Sequence, residues 1–113
     1  MLNRGAIIVR PKQPYMDWAT SLDDSGLVPD RNEERTVYLV PEYEDDDEAM
    51  AVLSRAYEMI FEEELNGWHT VVEDWPQNRT LATFLEWFDV EFHSIVDDLC
   101  GFPIIDDEAE LEQ

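Results

Sequence analysis

Residues 36–65 read TVYLVPEYEDDDEAMAVLSRAYEMIFEEEL, and they contain a strand pattern followed by a helix pattern. Residues 36–40 are rich in β-branched and aromatic side chains, which favours a strand, and Pro41 ends it. Beyond residues 42–48, which we call the acidic run, apolar residues recur at helical spacing until Asn66-Gly67, a typical helix stop. This apolar face comprises Ala49, Val52, Leu53, Ala56, Tyr57, Ile60, Phe61 and Leu65. The stretch therefore predicts a strand and the longest helix of the chain.

The residues before this stretch predict a first strand, a first helix and a loop. Residues 6–10 form a short apolar run that Pro11 ends, as in a buried strand. Pro14 suits the first turn of a helix, which residues 23–26 stop and which the polar loop 27–35 follows. The apolar face of this helix comprises Tyr15, Trp18, Ala19 and Leu22. Because a helical crossover usually joins parallel strands, we expect the first two strands to be parallel.

The residues after the long helix predict a third helix and a third strand. Asn78 is the expected N-cap of that helix, whose apolar face comprises Leu81, Phe84, Leu85 and Phe88. Residues 90–99 fit a strand by their alternation and a helix by their spacing. We favour the strand because Asp89 and Val90 interrupt the apolar face of the helix. Residues 102–105 are expected to pack against the body of the protein.

Together these elements predict an α+β fold with the order β-α-β-α-α-β. A small sheet of about three strands packs against two or three helices in a two-layer sandwich. We expect one globular domain over residues 1–105 and a frayed acidic tail over 106–113. The position of the third strand in the sheet stays open. The expected core includes Ile7, Val9, Trp18, Val37, Leu39, Leu53, Tyr57, Ile60, Phe84 and Phe88.

The charge of the chain excludes several classes of partner. Its 113 residues include 28 acids and seven bases, which gives a formal charge of −21. Even without the eleven acids clustered in residues 42–48 and 106–113, seventeen acids face seven bases. Direct binding to nucleic acid or to an anionic membrane is disfavoured, because both need Lys and Arg to meet phosphates. A basic protein partner is compatible with this charge.

Other compositional features favour a cytoplasmic globular protein. No apolar run is longer than five residues, which is too short for a membrane span or for the core of a signal peptide. Hydrophobic residues make up 44% of the chain, which is enough for a packed core despite the charge. Cys100 is the only cysteine, so a disulfide framework and a multi-cysteine zinc site are excluded. We expect Cys100 to be buried and structural, because nearby acids disfavour its thiolate.

The acidic run is the first candidate site. Six of its seven residues are acids that could attract a basic protein surface, and two tryptophans in the connector after the long helix could supply apolar anchors. The predicted partner-binding residues are Glu42, Glu44, Asp45, Asp46, Asp47, Glu48, Trp68 and Trp75. The alternative is that the run only solubilises a loop and the start of a helix.

A second candidate site involves a histidine among carboxylates. Glu91 and His93 lie two residues apart, so a strand would place both on one face, with Asp97 further along. A His with two carboxylates can bind a divalent metal or carry out acid–base chemistry. The alternative is a structural His paired with a neighbouring acid. We predict no cofactor and no dedicated metal site. The alternative prediction is a metal site formed by His93, Glu91 and Asp97.

Several strings resemble a group of small acidic bacterial proteins of unknown function. They are Ile7-Ile8-Val9-Arg10-Pro11-Lys12, Trp75-Pro76-Gln77-Asn78-Arg79-Thr80, Phe84, Trp87-Phe88 and Glu91-Phe92-His93-Ser94. The resemblance covers most of the chain. It implies a bacterial, cytoplasmic origin, and it brings no catalytic residue, cofactor or partner.

Three functional hypotheses follow from the sequence. The first is a non-enzymatic interaction or adaptor protein that docks a basic protein surface. The second is a structural protein that forms a homo-oligomer. The third is a small metal-binding protein or enzyme that uses Glu91 and His93.

Overall fold

The computed structural model describes residues 1–22, 25–29 and 35–106. The chain runs through β1 (Gly5–Pro11), α1 (Gln13–Ser21), β2 (Thr36–Val40), α2 (Asp46–Trp68), a 3₁₀ turn (Val72–Asp74), α3 (Leu81–Trp87) and β3 (Phe88–His93). This order confirms the predicted β-α-β-α-α-β arrangement of a small α+β fold. Three of the predicted segments lie partly outside the described residues. They are the helix stop at residues 23–24, the loop at residues 30–34 and the acidic tail at residues 107–113.

The sheet is antiparallel throughout, with the strand order β2-β1-β3. β1 lies in the centre, where Ile7 pairs with Tyr38 on one side and with Phe92 on the other. The prediction that the first two strands are parallel is therefore wrong. Fourteen residues separate α1 from β2. A connection of this length can reach either end of the sheet, so β2 can run in either direction relative to β1 although a helix lies between them.

One face of the sheet packs against the helices, and the other is open to solvent. β1 contributes Ile7 and Val9 to the packed face, and the core prediction is confirmed for six residues: Ile7, Val9, Leu53, Ile60, Phe84 and Phe88. Trp18 and Tyr57 are half-buried. The prediction is wrong for Val37 and Leu39, which are 59% and 48% exposed. Because side chains alternate along a strand, Tyr38 points to the helices and its two neighbours point away.

The centre of the core is a cluster of aromatic rings contributed by the helices and β3. The Phe84 ring lies 5.0 Å from that of Phe88 and 5.7 Å from that of Phe61, measured between centroids. Tyr15 of α1 joins the cluster through Phe88 at 5.4 Å. Such ring pairs add to the stabilisation that comes from buried area alone. The cluster therefore joins all three helices to the sheet.

Two helix ends differ from the prediction. Thr80, not Asn78, is the N-cap of α3, and its hydroxyl accepts a hydrogen bond from the Thr83 backbone N–H at 3.1 Å. α2 continues through Asn66 and Gly67 to Trp68. The Trp68 indole donates to the Ala19 carbonyl at 3.3 Å. This tertiary contact offsets the cost of about 1 kcal/mol for a glycine in a helix.

The segment after β3 has no regular structure over residues 94–106. β3 itself confirms the predicted strand, although it begins at Phe88 and ends at His93. Two contacts join the segment to the amino terminus: Leu2 N–H to the Val96 carbonyl at 2.6 Å, and the Met1 amino group to Asp97 at 2.9 Å. The expectation that residues 102–105 pack against the body is wrong, because the helices already cover the packed face and these residues stay exposed.

Cys100 lies in this same segment and is exposed. The prediction of a buried structural cysteine is therefore wrong. Its backbone N–H donates to the Asp98 carboxylate at 2.8 Å, which is a local turn and not a packing contact.

Candidate interaction surface

The acidic run forms the turn from β2 into α2, and all six of its acids are exposed. Asp45 is the N-cap of α2, since its carboxylate accepts from the Glu48 backbone N–H at 2.8 Å. Glu48 in turn accepts from the Glu44 backbone N–H at 2.7 Å. Asp45 and Glu48 therefore cap the N-terminus of α2, and the other four acids of the run do not take part in capping.

Tyr43 anchors the run to the sheet. Its side chain is buried between the acids, and its hydroxyl donates to the Ala6 carbonyl at 2.6 Å. Burial raises the pKa of the Tyr43 hydroxyl above its usual value. The ring also contacts Phe92, with centroids 6.0 Å apart. Tyr43 is not among the predicted site residues, because a single aromatic residue among acids shows neither helical nor strand periodicity.

The charge of the acidic run is not neutralised within the described structure. Among residues 1–22, 25–29 and 35–106, ion pairs join Asp97 to the amino terminus and Glu62 to Arg79, and each histidine ring lies within 4 Å of a carboxylate. None of these pairs involves the run. The six exposed carboxylates therefore form a negative surface that attracts an external cation.

The two predicted tryptophan anchors lie far from the acidic run. Trp68 is the last residue of the 23-residue α2, which is about 34 Å long, and Trp75 lies in the connector after it, whereas the run lies at the N-terminal end of the helix. Trp75 is only 8% exposed, and its indole donates to the His69 carbonyl at 2.8 Å. Trp68 is half-buried against α1. These side chains hold the connector in place, and the burial of Trp75 corrects the idea that it is free to anchor a partner.

The histidine candidate separates into a pair and a distant carboxylate. His93 Nε2 lies 3.6 Å from Glu91 Oε1, and both side chains are about half exposed on the open face of the sheet. Asp97 pairs instead with the amino terminus. Within the described ranges, no group of three or more His, Cys, Asp or Glu residues is arranged to hold a metal ion. The three residues therefore do not form the predicted alternative metal site.

An apolar groove lies between β2 and α2, and none of its lining residues belongs to β1. It has a volume of about 340 Å³. Its lining residues are Tyr38, Leu39, Val40, Pro41, Ala56, Met59, Ile60 and Glu63. Met59 of α2 is 72% exposed on its wall. Sequence analysis did not predict this groove, because it depends on β2 being an edge strand, and strand order cannot be derived from periodicity.

The groove and the acidic run are continuous. Pro41 lines the groove and is followed directly by Glu42, the first acid of the run. Leu39, Val40 and Pro41 also line a second cavity, of about 500 Å³, together with Asn3, Arg4 and Glu42. Arg4 is the basic side chain there, and it donates to the Asn3 carbonyl at 2.9 Å. One edge of the molecule thus joins an apolar surface to a strongly acidic one.

Glu64 joins β2 to α2, the two elements that line the groove. Its carboxylate accepts hydrogen bonds from the Tyr38 hydroxyl at 3.0 Å and from the Thr36 hydroxyl at 3.2 Å. Burial, together with the negative charge of Glu64, raises the pKa of the Tyr38 hydroxyl far above its usual range. These bonds join β2 to α2, so both walls of the groove are held in a fixed geometry.

Comparison with models of known protein families, with curated proteins and with solved structures yields no match to this chain. The resemblance to small acidic bacterial proteins stays a prediction. In the described ranges, each helix is too short or too polar to be a transmembrane span, and even α2 carries charges along its length.

Proposed function

We propose that this protein is a non-enzymatic interaction protein that docks the basic surface of a partner protein. One observation carries the proposal: an apolar groove on a sheet edge opens beside six exposed carboxylates that have no cationic partner in the described structure. A bacterial, cytoplasmic location is part of the same proposal, and no cofactor is required.

The two halves of this surface have different physical roles in binding. Exposed charges at the rim of an interface act mainly on the association rate, because they steer an oppositely charged partner. Apolar side chains in the centre act mainly on dissociation. The acidic run fits the first role and the groove fits the second. The net charge of −21 adds long-range attraction for any basic surface.

The test neutralises the acids that have no capping role. The variant Glu42→Gln, Glu44→Gln, Asp47→Asn removes three charges and keeps the cap formed by Asp45 and Glu48. A matched control, Glu73→Gln, Glu86→Gln, Asp89→Asn, removes three exposed charges from other parts of the molecule. Both variants have the same net charge, so only the position of the lost charges differs.

The partner is captured from a native extract at low salt and identified, and its association rate is then measured at low and high salt. We expect the acidic-run variant to associate about tenfold more slowly than the control at low salt, and to show a weaker salt dependence. Equal rates for the two variants would show that the run is only a solvated turn, and the proposal would be wrong.

A second candidate function, a homo-oligomeric structural protein, is favoured by a different observation. Val37 and Leu39 are exposed on the open face of the sheet, and Ile95, Leu99, Phe102, Ile104 and Ile105 are each at least 65% exposed. Pairing of two copies through these side chains would remove their apolar area from water. Sedimentation at several protein concentrations tests this candidate: a concentration-dependent mass supports it, and a constant monomer mass contradicts it.

A further inference from the structure

The two edges of the sheet differ in how well they resist pairing with another strand. The order β2-β1-β3 leaves the outer edges of β2 and β3 unpaired in the described sheet. β3 carries Asp89, Glu91 and His93, side chains of the kind that block edge-to-edge pairing. β2 reads TVYLV and has neither a charge nor a proline before Pro41. Among the residues that the structure describes, the edge of β2 is therefore the one that is open to an additional strand.

The groove along β2 supplies a surface for the side chains of such a strand. Ala56, Met59 and Ile60 of α2 form a wall beside the edge. A volume of about 340 Å³ falls within the range of about 300–1,000 Å³ that is typical of ligand clefts. A strand laid along β2 would place every second side chain over this wall. Backbone hydrogen bonds together with alternate side-chain pockets are the elements of strand addition.

The charges around the groove indicate which strand fits. Glu63 lies in the lining, the acidic run begins at one end, and α2 has seven acids against the single base Arg55. A second copy of this chain would bring a further charge of −21 to the same edge, which opposes its binding there. A segment with a cluster of Lys or Arg beside its apolar residues meets the opposite charge instead.

We propose that β2 accepts, as a fourth strand, an extended segment of a basic partner protein. The segment has apolar residues at every second position, which lie over Ala56, Met59 and Ile60. A cluster of Lys or Arg at one end lies against the acidic run from Glu42. This inference rests on the proposed function and specifies its mode of binding.

The probe is a synthetic peptide of about nine residues, with a lysine cluster followed by alternating valine and threonine. Two further peptides carry N-methyl groups, one on the valine nitrogens and one on the threonine nitrogens. In an added strand, alternate N–H groups face the neighbouring strand and the others face solvent. We expect one methylated peptide to lose at least about tenfold in affinity and the other to bind like the parent.

A pair of variants tests the groove wall without changing the charge. Met59→Gln removes an apolar side chain from the lining, and Met50→Gln makes the same change at an exposed position of α2 outside the groove. We expect calorimetric titration with the parent peptide to show a several-fold loss for Met59→Gln and no loss for Met50→Gln. Amide hydrogen exchange should slow in residues 36–40 when the peptide binds.

The outcomes separate this inference from the proposed function. If both methylated peptides bind like the parent while the acidic-run variant binds weakly, docking by charge stands and strand addition is overturned. If no peptide binds, strand addition is overturned, and the proposed function still depends on capture of the partner. If β2 becomes protected in concentrated protein without peptide, a second copy occupies the edge and the inference is wrong.

Discussion

At the scale of single residues, Gly5 allows the acidic run to be held against the sheet. A Cβ atom placed on Gly5 would lie 2.5 Å from Cε1 of Tyr43 and 2.9 Å from its Cδ1, both shorter than van der Waals contact. The Tyr43 ring cannot move away freely, because its hydroxyl bonds the Ala6 carbonyl. Glycine is required here by close approach, not by an unusual backbone conformation.

Gly5→Ala should therefore lower the free energy of unfolding by about 1–3 kcal/mol, the usual cost of overpacking a core. The measurement is urea denaturation followed by tryptophan fluorescence. Gly67→Ala is the control, because nothing lies within 4 Å of a Cβ at that position in α2. It should stabilise the protein by about 0.5–1 kcal/mol through helix propensity. Similar changes in both variants would contradict the packing argument.

At the scale of secondary structure, Asp45 has a role that its place in the acidic run conceals. Asp45→Ala should lower the free energy of unfolding by about 0.5–2 kcal/mol, because the Glu48 backbone N–H loses its partner at the start of α2. Asp45→Asn should retain most of the stability, since an amide oxygen also caps a helix. Chemical denaturation of both variants checks this, and an equal loss in both would show that charge matters more than capping.

The hydrogen bond between Tyr38 and Glu64 joins β2 to α2, and its contribution to the free energy of unfolding depends on pH above about pH 10. The pKa of the Tyr38 hydroxyl is raised by burial and by Glu64, so the folded state keeps a proton that the unfolded state loses above about pH 10. The stabilisation is thus complete below that pH and falls as pH rises. Tyr38→Phe should give a shallower loss of stability between about pH 9 and 11 than the wild type. If the free energy of unfolding falls with pH equally in both proteins over this range, the prediction is wrong.

The differences between prediction and structure at this scale have a physical reason. The apolar faces at helical spacing predict all three helices. A short apolar run, a β-branched and aromatic stretch and an alternating pattern predict the three strands. The direction of β2 was not predicted correctly, because the connection between Ser21 and Thr36 is long enough for either direction. The error for Val37 and Leu39 has a similar origin, since alternation defines two faces of a strand without indicating which one meets the helices.

At the scale of the whole molecule, the candidate site is only partly contained in the sequence. The acidic run and its exposure were predicted, because a dense cluster of carboxylates cannot be buried without partners. The groove was not predicted. It forms because β2 is an edge strand and Met59 lies beside it, and both of these features depend on tertiary packing. The prediction that Trp75 is free to anchor a partner is wrong because its place in a connector does not make it exposed. Its indole donates a hydrogen bond to the His69 carbonyl, and its side chain is buried.

The charge of the whole molecule leads to a prediction about salt. The chain has a formal charge of −21, and the ion pairs in the described ranges are few and lie at the surface. Surface pairs contribute little, so repulsion among the carboxylates dominates the electrostatic free energy of the folded state. About 0.5 M sodium chloride reduces the screening length to a few ångströms and should weaken that repulsion. Thermal melting should therefore give a higher Tm in salt than at low ionic strength.

A neutralised variant separates screening from a general effect of salt. Glu73→Gln, Glu86→Gln, Asp89→Asn lacks three exposed negative charges. It should melt at a higher temperature than the wild type at low salt, and its Tm should rise less when salt is added. A general effect of salt on apolar burial would instead raise both proteins equally. A lower Tm of the wild type in salt would mean that favourable ion pairs outweigh repulsion, because screening weakens attraction as much as repulsion.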